Sequence, residues 1–196
     1  MADVPAKLDF MTLDDFVRRF DQEGPFEMID GELIELSPTL FGHNHVANLL
    51  NKLLLLHVME HGLGETLVES PFVLPDQENP NWVVGSRVPD VMLVRADRLE
   101  KYKEQVPDWK EKPLELVPDL VVEIIYKKDS YSDVDRKVET YMNDGVQVVW
   151  IIDPRRHTVT VHRHESKEYH RFSEEDVLTE DTVIPGFKVP IAELFE

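Results

Sequence analysis

Two apolar runs typical of buried β-strands each enclose a carboxylate between apolar residues. Asp90 lies in the run 88–94 and Glu123 lies in the run 119–125. A carboxylate in the middle of a buried strand is costly unless a cation compensates its charge, and a divalent metal ion is the natural candidate. Paired strand carboxylates followed by a lysine are what a metal-dependent phosphodiesterase needs. The pattern therefore predicts a buried sheet that carries a metal site.

Length and residue usage limit the class of protein. A chain of 196 residues with 42% apolar content fits one domain over 1–196, with an N-terminal helix within 1–25 and a closing extension at 172–196. No apolar run approaches the roughly 18 residues that span a bilayer, and the first residues lack a signal-peptide pattern. We therefore expect a cytoplasmic protein with no membrane partner. Because cysteine is absent, the strong ligands are Asp, Glu and His, which favours Mg²⁺ or Mn²⁺.

The charge of the chain bears on its substrate. The formal net charge is −18, from 21 Lys and Arg against 39 Asp and Glu, which argues against nonspecific affinity for a polyanion. A local basic groove, bound metal ions or oligomerisation could offset this charge. The composition therefore supports the metal site more than it supports DNA as the substrate.

Hydrophobic spacing and turn residues predict an α/β fold with a mixed central β-sheet flanked by helices. Helical spacing predicts a short helix opening at Thr12, a core helix over 43–61 and a helix over 133–144. A proline-bounded segment, 97–118, is expected to be loop with some helix. Alternating or continuous apolar runs predict a hairpin over 26–36 about Asp30-Gly31 and strands at 65–74, 88–94, 119–125, 146–153 and 158–162.

The candidate lysines for this site lie beyond the strand that contains Glu123. A Glu-x-Lys motif after Glu123 would need a lysine at position 125, where the chain has Ile125. Lys127 lies one strand repeat further on, on the same face, and Lys137 flanks the inward stripe of the helix over 133–144. We prefer Lys137, because a charge beside an apolar inward face needs a reason, whereas Lys127 opens a polar loop.

The ordered set of segments resembles a known bacterial family. The segments are Pro89-Asp90, 118–125, 131–141, Gly145-Val146 and 149–154, preceded by 26–38 and Gly42-His43. Together, over roughly 26–195, they are similar to the Uma-type family of putative restriction endonucleases, first catalogued as a domain of unknown function, in the PD-(D/E)XK nuclease superfamily.

This resemblance implies a restriction-endonuclease-like core that hydrolyses phosphodiester bonds in DNA. It implies that Asp90 and Glu123 bind Mg²⁺ or Mn²⁺, with the Ile124 carbonyl completing the oxygen shell, and that Lys137 is a displaced active-site lysine. A homodimer is expected because cleavage of two strands needs two sites. The chain departs from the family after the glutamate strand, where Tyr126 and its neighbours replace a small Ser-Pro-Ser-like turn.

Each site residue also has a structural interpretation. Asp90 could be a turn acid, Glu123 could form a buried ion pair with Arg136, and Lys137 could be a surface lysine paired with an acid one turn away. His43, at the predicted helix start, could be a cap or surface group.

Other contributions to the site remain open. Glu32, His43 and Lys127 are the candidates for side chains that orient the metal-binding residues without binding the metal themselves. Two further functions also remain open: a catalytically inactive nuclease-fold module for binding or assembly, and a metal-dependent hydrolase of small phosphoesters.

Overall fold

The computed structural model of the protein describes residues 11–125, 129–166 and 168–196. The described chain divides into two compact units. Unit 1 holds the residues up to Pro38 together with Pro71–Val88 and Gln105–Val117, and unit 2 holds Thr39–Ser70, Pro89–Glu104 and Pro118–Glu196. The single domain over 1–196 therefore stays a prediction.

Unit 1 is built on an antiparallel sheet of five strands, numbered in chain order through the whole protein. Helix α1 begins after Thr12, whose side chain accepts a hydrogen bond from the Asp15 N–H. The predicted hairpin at Asp30-Gly31 is confirmed: Ile29 pairs with Glu32, and both turn residues have positive φ, 51° and 78°. The elements of unit 1 are β1 Met11–Thr12, α1 Leu13–Glu23, β2 Phe26–Ile29, β3 Glu32–Glu35, β5 Phe72–Pro75, β6 Trp82–Arg87 and a 3₁₀ turn Trp109–Glu111.

Unit 2 is built on a mixed sheet of six strands. The elements are α2 Phe41–His61, β4 Gly64–Val68, β7 Val91–Arg95, α3 Ala96–Gln105, β8 Leu120–Ile124, α4 Tyr131–Asp144, β9 Val148–Asp153, β10 Thr158–Arg163, β11 His170–Phe172, β12 Val177–Glu180, β13 Phe187–Pro190 and a 3₁₀ turn Ile191–Leu194. The strand order in the sheet is β11-β10-β9-β8-β7-β4. Strands β8 and β9 pair in parallel, and the other neighbours in this sheet pair antiparallel.

Helices flank the unit 2 sheet on both faces. The buried side of α2, with Leu50 and Leu54, packs in one core with Val122 of β8 and Trp150 of β9. Each such buried leucine contributes about 1.5–3 kcal/mol to folding. Because side chains alternate along a strand, Glu123 faces the opposite side, where α4 contacts it. The predicted fold class is confirmed.

The structure corrects two predicted strands. The strand expected at 65–74 is two strands, β4 and β5, which belong to different units and are separated at Glu69, a residue with φ of 46°. The pattern of hydrophobicity does not show such a break, because a residue with positive φ can interrupt a strand without changing the apolar character of the run. Asp90 was expected inside a strand, but it immediately precedes β7. Strand β6 was not predicted.

Two other predictions concern the ends of the chain and the membrane. The predicted closing extension contributes the hairpin β12–β13, whose residues Leu178, Phe187 and Val189 are part of the unit 2 core. None of the helices in the described chain is long and apolar enough to cross a membrane.

Candidate active site

Glu123 is the most buried carboxylate among the predicted site residues. It lies in β8, which pairs with β7 on one side and β9 on the other, and it is 4% exposed. The Tyr141 hydroxyl donates to Glu123 Oε1 over 2.5 Å, and Lys137 Nζ donates to Oε2 over 2.5 Å. Charge-assisted hydrogen bonds of this kind compensate the burial of a carboxylate.

Helix α4 places both donors on Glu123. Lys137 and Tyr141 are four residues apart, so they share one face of the helix. The helix start is defined by a reciprocal cap between Ser130 and Asp133, and its end by Gly145 with φ of 100°. Local sequence signals at both ends therefore determine the segment of chain that presents Lys137 and Tyr141 to the sheet.

Asp90, which immediately precedes β7, lies opposite Glu123 of the neighbouring strand β8. Val91 pairs with Val122 in antiparallel register, so the preceding residue, Asp90, is level with Glu123, and opposite residues share a face with Cβ atoms about 5 Å apart. The Ile124 N–H also donates to Asp90 Oδ2 over 2.6 Å. The structure thus brings the two predicted carboxylates together at one end of β7 and β8.

His43, in the first turn of α2, contacts Asp90. Its Nε2 lies 2.9 Å from Asp90 Oδ1, and the two side chains are 9% and 13% exposed. Burial by itself lowers the pKa of His43, but the hydrogen bond to Asp90 and the negative charges of Asp90, Glu123 and Glu69 outweigh it and raise this pKa above its usual value. His43 Nε2 is therefore engaged with Asp90, and this contact fixes the orientation of the Asp90 carboxylate.

The structure places the other predicted residues as follows. Glu32 is exposed on β3 in unit 1, so its contribution to the site stays a prediction. Lys127 and Tyr126 lie outside the described residues. Arg136, the alternative partner of Glu123, pairs with Asp133 at 3.6 Å, whereas Glu123 pairs with Lys137.

Tyr141 is the site residue that the sequence analysis missed. Helical spacing places it on the inward face of α4 with Val134 and Val138, and it is buried. Its hydroxyl, however, needs a partner when it is buried, and that partner is Glu123. The spacing of four residues from Lys137 is the signal that could have identified it.

The donor set fits a hard divalent cation. Asp90 and Glu123 offer carboxylate oxygens, and each oxygen has two lone-pair directions, so one hydrogen bond does not exhaust it. Within the described residues, no group of three or more His, Asp or Glu side chains could hold a metal ion. Mg²⁺ commonly binds through one or two carboxylates and keeps several waters, which matches a pair of carboxylates near a backbone carbonyl at Ile124.

Comparison with known proteins identifies the family. No curated protein matches the chain. One similar solved structure is the crystal structure of a putative nuclease belonging to DUF820 from Anabaena variabilis, with a TM-score of 0.74, 20% identity, and coverage of 94% of this chain and 97% of that chain. The two chains therefore share a fold. The family model Uma2, putative restriction endonuclease, matches residues 9–192, which confirms the resemblance and supports a nuclease. This chain belongs to the Uma2 family of putative restriction endonucleases.

Proposed function

We propose that this protein is an endonuclease that hydrolyses phosphodiester bonds in DNA with Mg²⁺ or Mn²⁺ bound by Asp90, Glu123 and the Ile124 carbonyl. One observation carries the proposal: a lysine and a tyrosine from α4 hold the buried Glu123 carboxylate opposite Asp90. Two neighbouring carboxylates can hold the metal ion that activates water for phosphodiester hydrolysis, and a nearby lysine can stabilise the negative charge that develops.

The residues of the site have distinct tasks in this proposal. The Lys137 side chain is 47% exposed while the Glu123 side chain is buried, so Lys137 can contact both the carboxylate and a phosphate in solvent. There it stabilises the negative charge that develops on the phosphoryl oxygens. His43 orients Asp90, and Tyr141 orients Glu123. A bound metal ion supplies Lewis-acid polarisation of the phosphate and a water of lowered pKa.

The first test is cleavage of supercoiled and linear DNA by the purified protein. We expect nicking in the presence of Mg²⁺ or Mn²⁺ and none with a chelator. Glu139→Gln is the control for substitution of Glu123 by glutamine, because Glu139 is an exposed glutamate on α4. The rate of DNA cleavage by Glu139→Gln should equal that of the wild type. A well-folded wild type that cleaves no DNA with either metal contradicts general DNA hydrolysis.

A small phosphoester is the second candidate substrate, because the net charge of −18 opposes binding of a polyanion. The same protein is therefore assayed with a chromogenic phosphodiester. Metal-dependent turnover of the diester without DNA cleavage would identify a small-phosphoester hydrolase. Turnover of neither substrate would favour the inactive binding module.

Tyr141→Phe should lower the affinity for Mg²⁺ more than it lowers the maximal rate of cleavage. The substitution keeps the ring in the core but removes the hydroxyl that orients Glu123 Oε1. Loss of a group that orients a metal ligand typically lowers metal affinity about 10–100-fold. The measurement is the cleavage rate as a function of Mg²⁺ concentration.

The control for this substitution is Tyr131→Phe, because Tyr131 is an exposed tyrosine at the start of the same helix. It should show the wild-type dependence on Mg²⁺. An unchanged metal dependence in Tyr141→Phe would show that the tyrosine only fills space in the core.

A further inference from the structure

Helix α2 exposes an apolar face to solvent. Leu55, Leu56 and Met59 are 37%, 59% and 71% exposed, and their spacing of three and four residues places them on one side of the helix. The opposite side, with Leu50 and Leu54, is buried against the sheet of unit 2. Large apolar side chains grouped on an exposed face are typical of an interaction surface.

The charges of α2 are sparse and symmetrically placed. Among the 21 residues of the helix, the Asp, Glu, Lys and Arg residues are Lys52 and Glu60 alone, and both are exposed. In the whole chain such residues make up 31%. Depletion of charge around exposed apolar side chains is typical of the centre of a protein interface. Lys52 and Glu60, of opposite sign, each lie one helical turn from Leu56.

We propose that a second copy of this chain packs on this face, with the two α2 helices antiparallel about a twofold axis at Leu56. A twofold axis brings together residues that are equally distant from it. Leu56 then meets Leu56 of the partner subunit, and Lys52 is level with Glu60 of the partner subunit. Two symmetry-related ion pairs, each between Lys52 and Glu60 of the partner subunit, therefore lie on either side of an apolar centre.

The charge pattern favours a second copy in this one orientation. A parallel arrangement would place Lys52 beside Lys52 of the partner subunit, and like charges at close range destabilise a contact. Repulsion between two acidic chains is screened beyond about 8 Å at physiological ionic strength, so the local contacts decide the association. The sequence predicts a homodimer but does not indicate which surface forms the interface. The exposed face of α2 is a surface that is complementary to a second copy of itself.

The first test measures the oligomeric state by sedimentation velocity over a wide range of protein concentrations. We expect a concentration-dependent dimer of the wild type. Leu56→Asp should raise the dimer dissociation constant by roughly 100-fold, because it places a charge at the centre of the interface. Val17→Asp is the matched control, since Val17 is 44% exposed on another helix, α1, and its dissociation constant should equal that of the wild type. Circular dichroism checks that each variant folds.

The second test exchanges the two charges. Lys52→Glu and Glu60→Lys should each raise the dissociation constant roughly tenfold at low salt, and the double variant should return to within about threefold of the wild type. A monomeric wild type at every concentration, a dimer insensitive to Leu56→Asp, or a double variant as weak as the single ones would each overturn the proposal. No nucleic acid or metal is present in these measurements, so the result is independent of the proposed nuclease activity.

Discussion

Glu123→Gln is expected to lower the rate of metal-dependent DNA cleavage by roughly 10²–10³-fold without unfolding the protein. Glutamine has almost the same shape as glutamate, but it lacks the charge that binds a cation and that pairs with Lys137 over 2.5 Å. Asp90→Asn should have a similar effect, since Asp90 lies opposite Glu123. The measurement is the initial rate of nicking at saturating Mg²⁺, compared with Glu139→Gln.

A second measurement on the same variants does not depend on catalysis. A ligand that binds only the folded state stabilises it by an amount that grows with its concentration. Mg²⁺ should therefore raise the melting temperature of the wild type and of Glu139→Gln but leave those of Asp90→Asn and Glu123→Gln unchanged. Equal shifts in all four proteins would show that Mg²⁺ binds elsewhere, and wild-type nicking by Glu123→Gln would remove Glu123 from the site.

Lys137→Met is expected to lose cleavage by about 10²-fold or more and to lower the free energy of unfolding by about 1–3 kcal/mol. The stability loss follows from a buried carboxylate that keeps its bond to Tyr141 but loses its cation. The figure lies below the cost of breaking a fully buried pair, because the Lys137 side chain is 47% exposed. The measurements are urea denaturation and nicking at saturating Mg²⁺, with Lys101→Met on the exposed surface of α3 as the control.

A double variant separates the structural role of Lys137 from its catalytic one. If the stability loss comes from a buried carboxylate that has lost its lysine, Lys137→Met should cost much less stability in a protein that already carries Glu123→Gln. The double variant should therefore be stable and inactive. A Lys137→Met protein that is less stable but cleaves at the wild-type rate would show that the lysine serves only to neutralise Glu123.

Much of the fold could be predicted from local pattern. The Asp30-Gly31 hairpin, the core helix and the strand that contains Glu123 each follow from spacing and turn residues within a few positions. The sequence favours Lys137 as the lysine of the site because it is a charge beside the inward stripe of a helix. In the structure, Lys137 Nζ donates to Glu123 Oε2. In each case the feature is recorded by residues that are close together in the chain.

Other features could not be predicted because they depend on contacts between distant segments. Asp90 and His43 are 47 positions apart, and their hydrogen bond requires α2 and β7 to be packed in the same unit. The hydrogen bond of Tyr141 is another example, because helical spacing predicts that the ring is buried but does not predict which atom accepts from its hydroxyl. The break between β4 and β5 falls at 69–71, where Glu69 has positive φ, and the two strands pair with distant segments, β7 and β6.

The sequence by itself determined which side chains are buried in the helices and strands that it predicts, since alternation along strands and the helical repeat follow from backbone geometry. It therefore placed a carboxylate in a buried strand and predicted that a cation must compensate it. Only the tertiary structure decided which side chains surround this carboxylate. The register of β7 against β8 brings Asp90 level with Glu123, and His43 of α2 contacts Asp90. The packing of α4 brings Lys137 and Tyr141 to Glu123. Register and docking are set by the packing of the whole core, and no local segment records them.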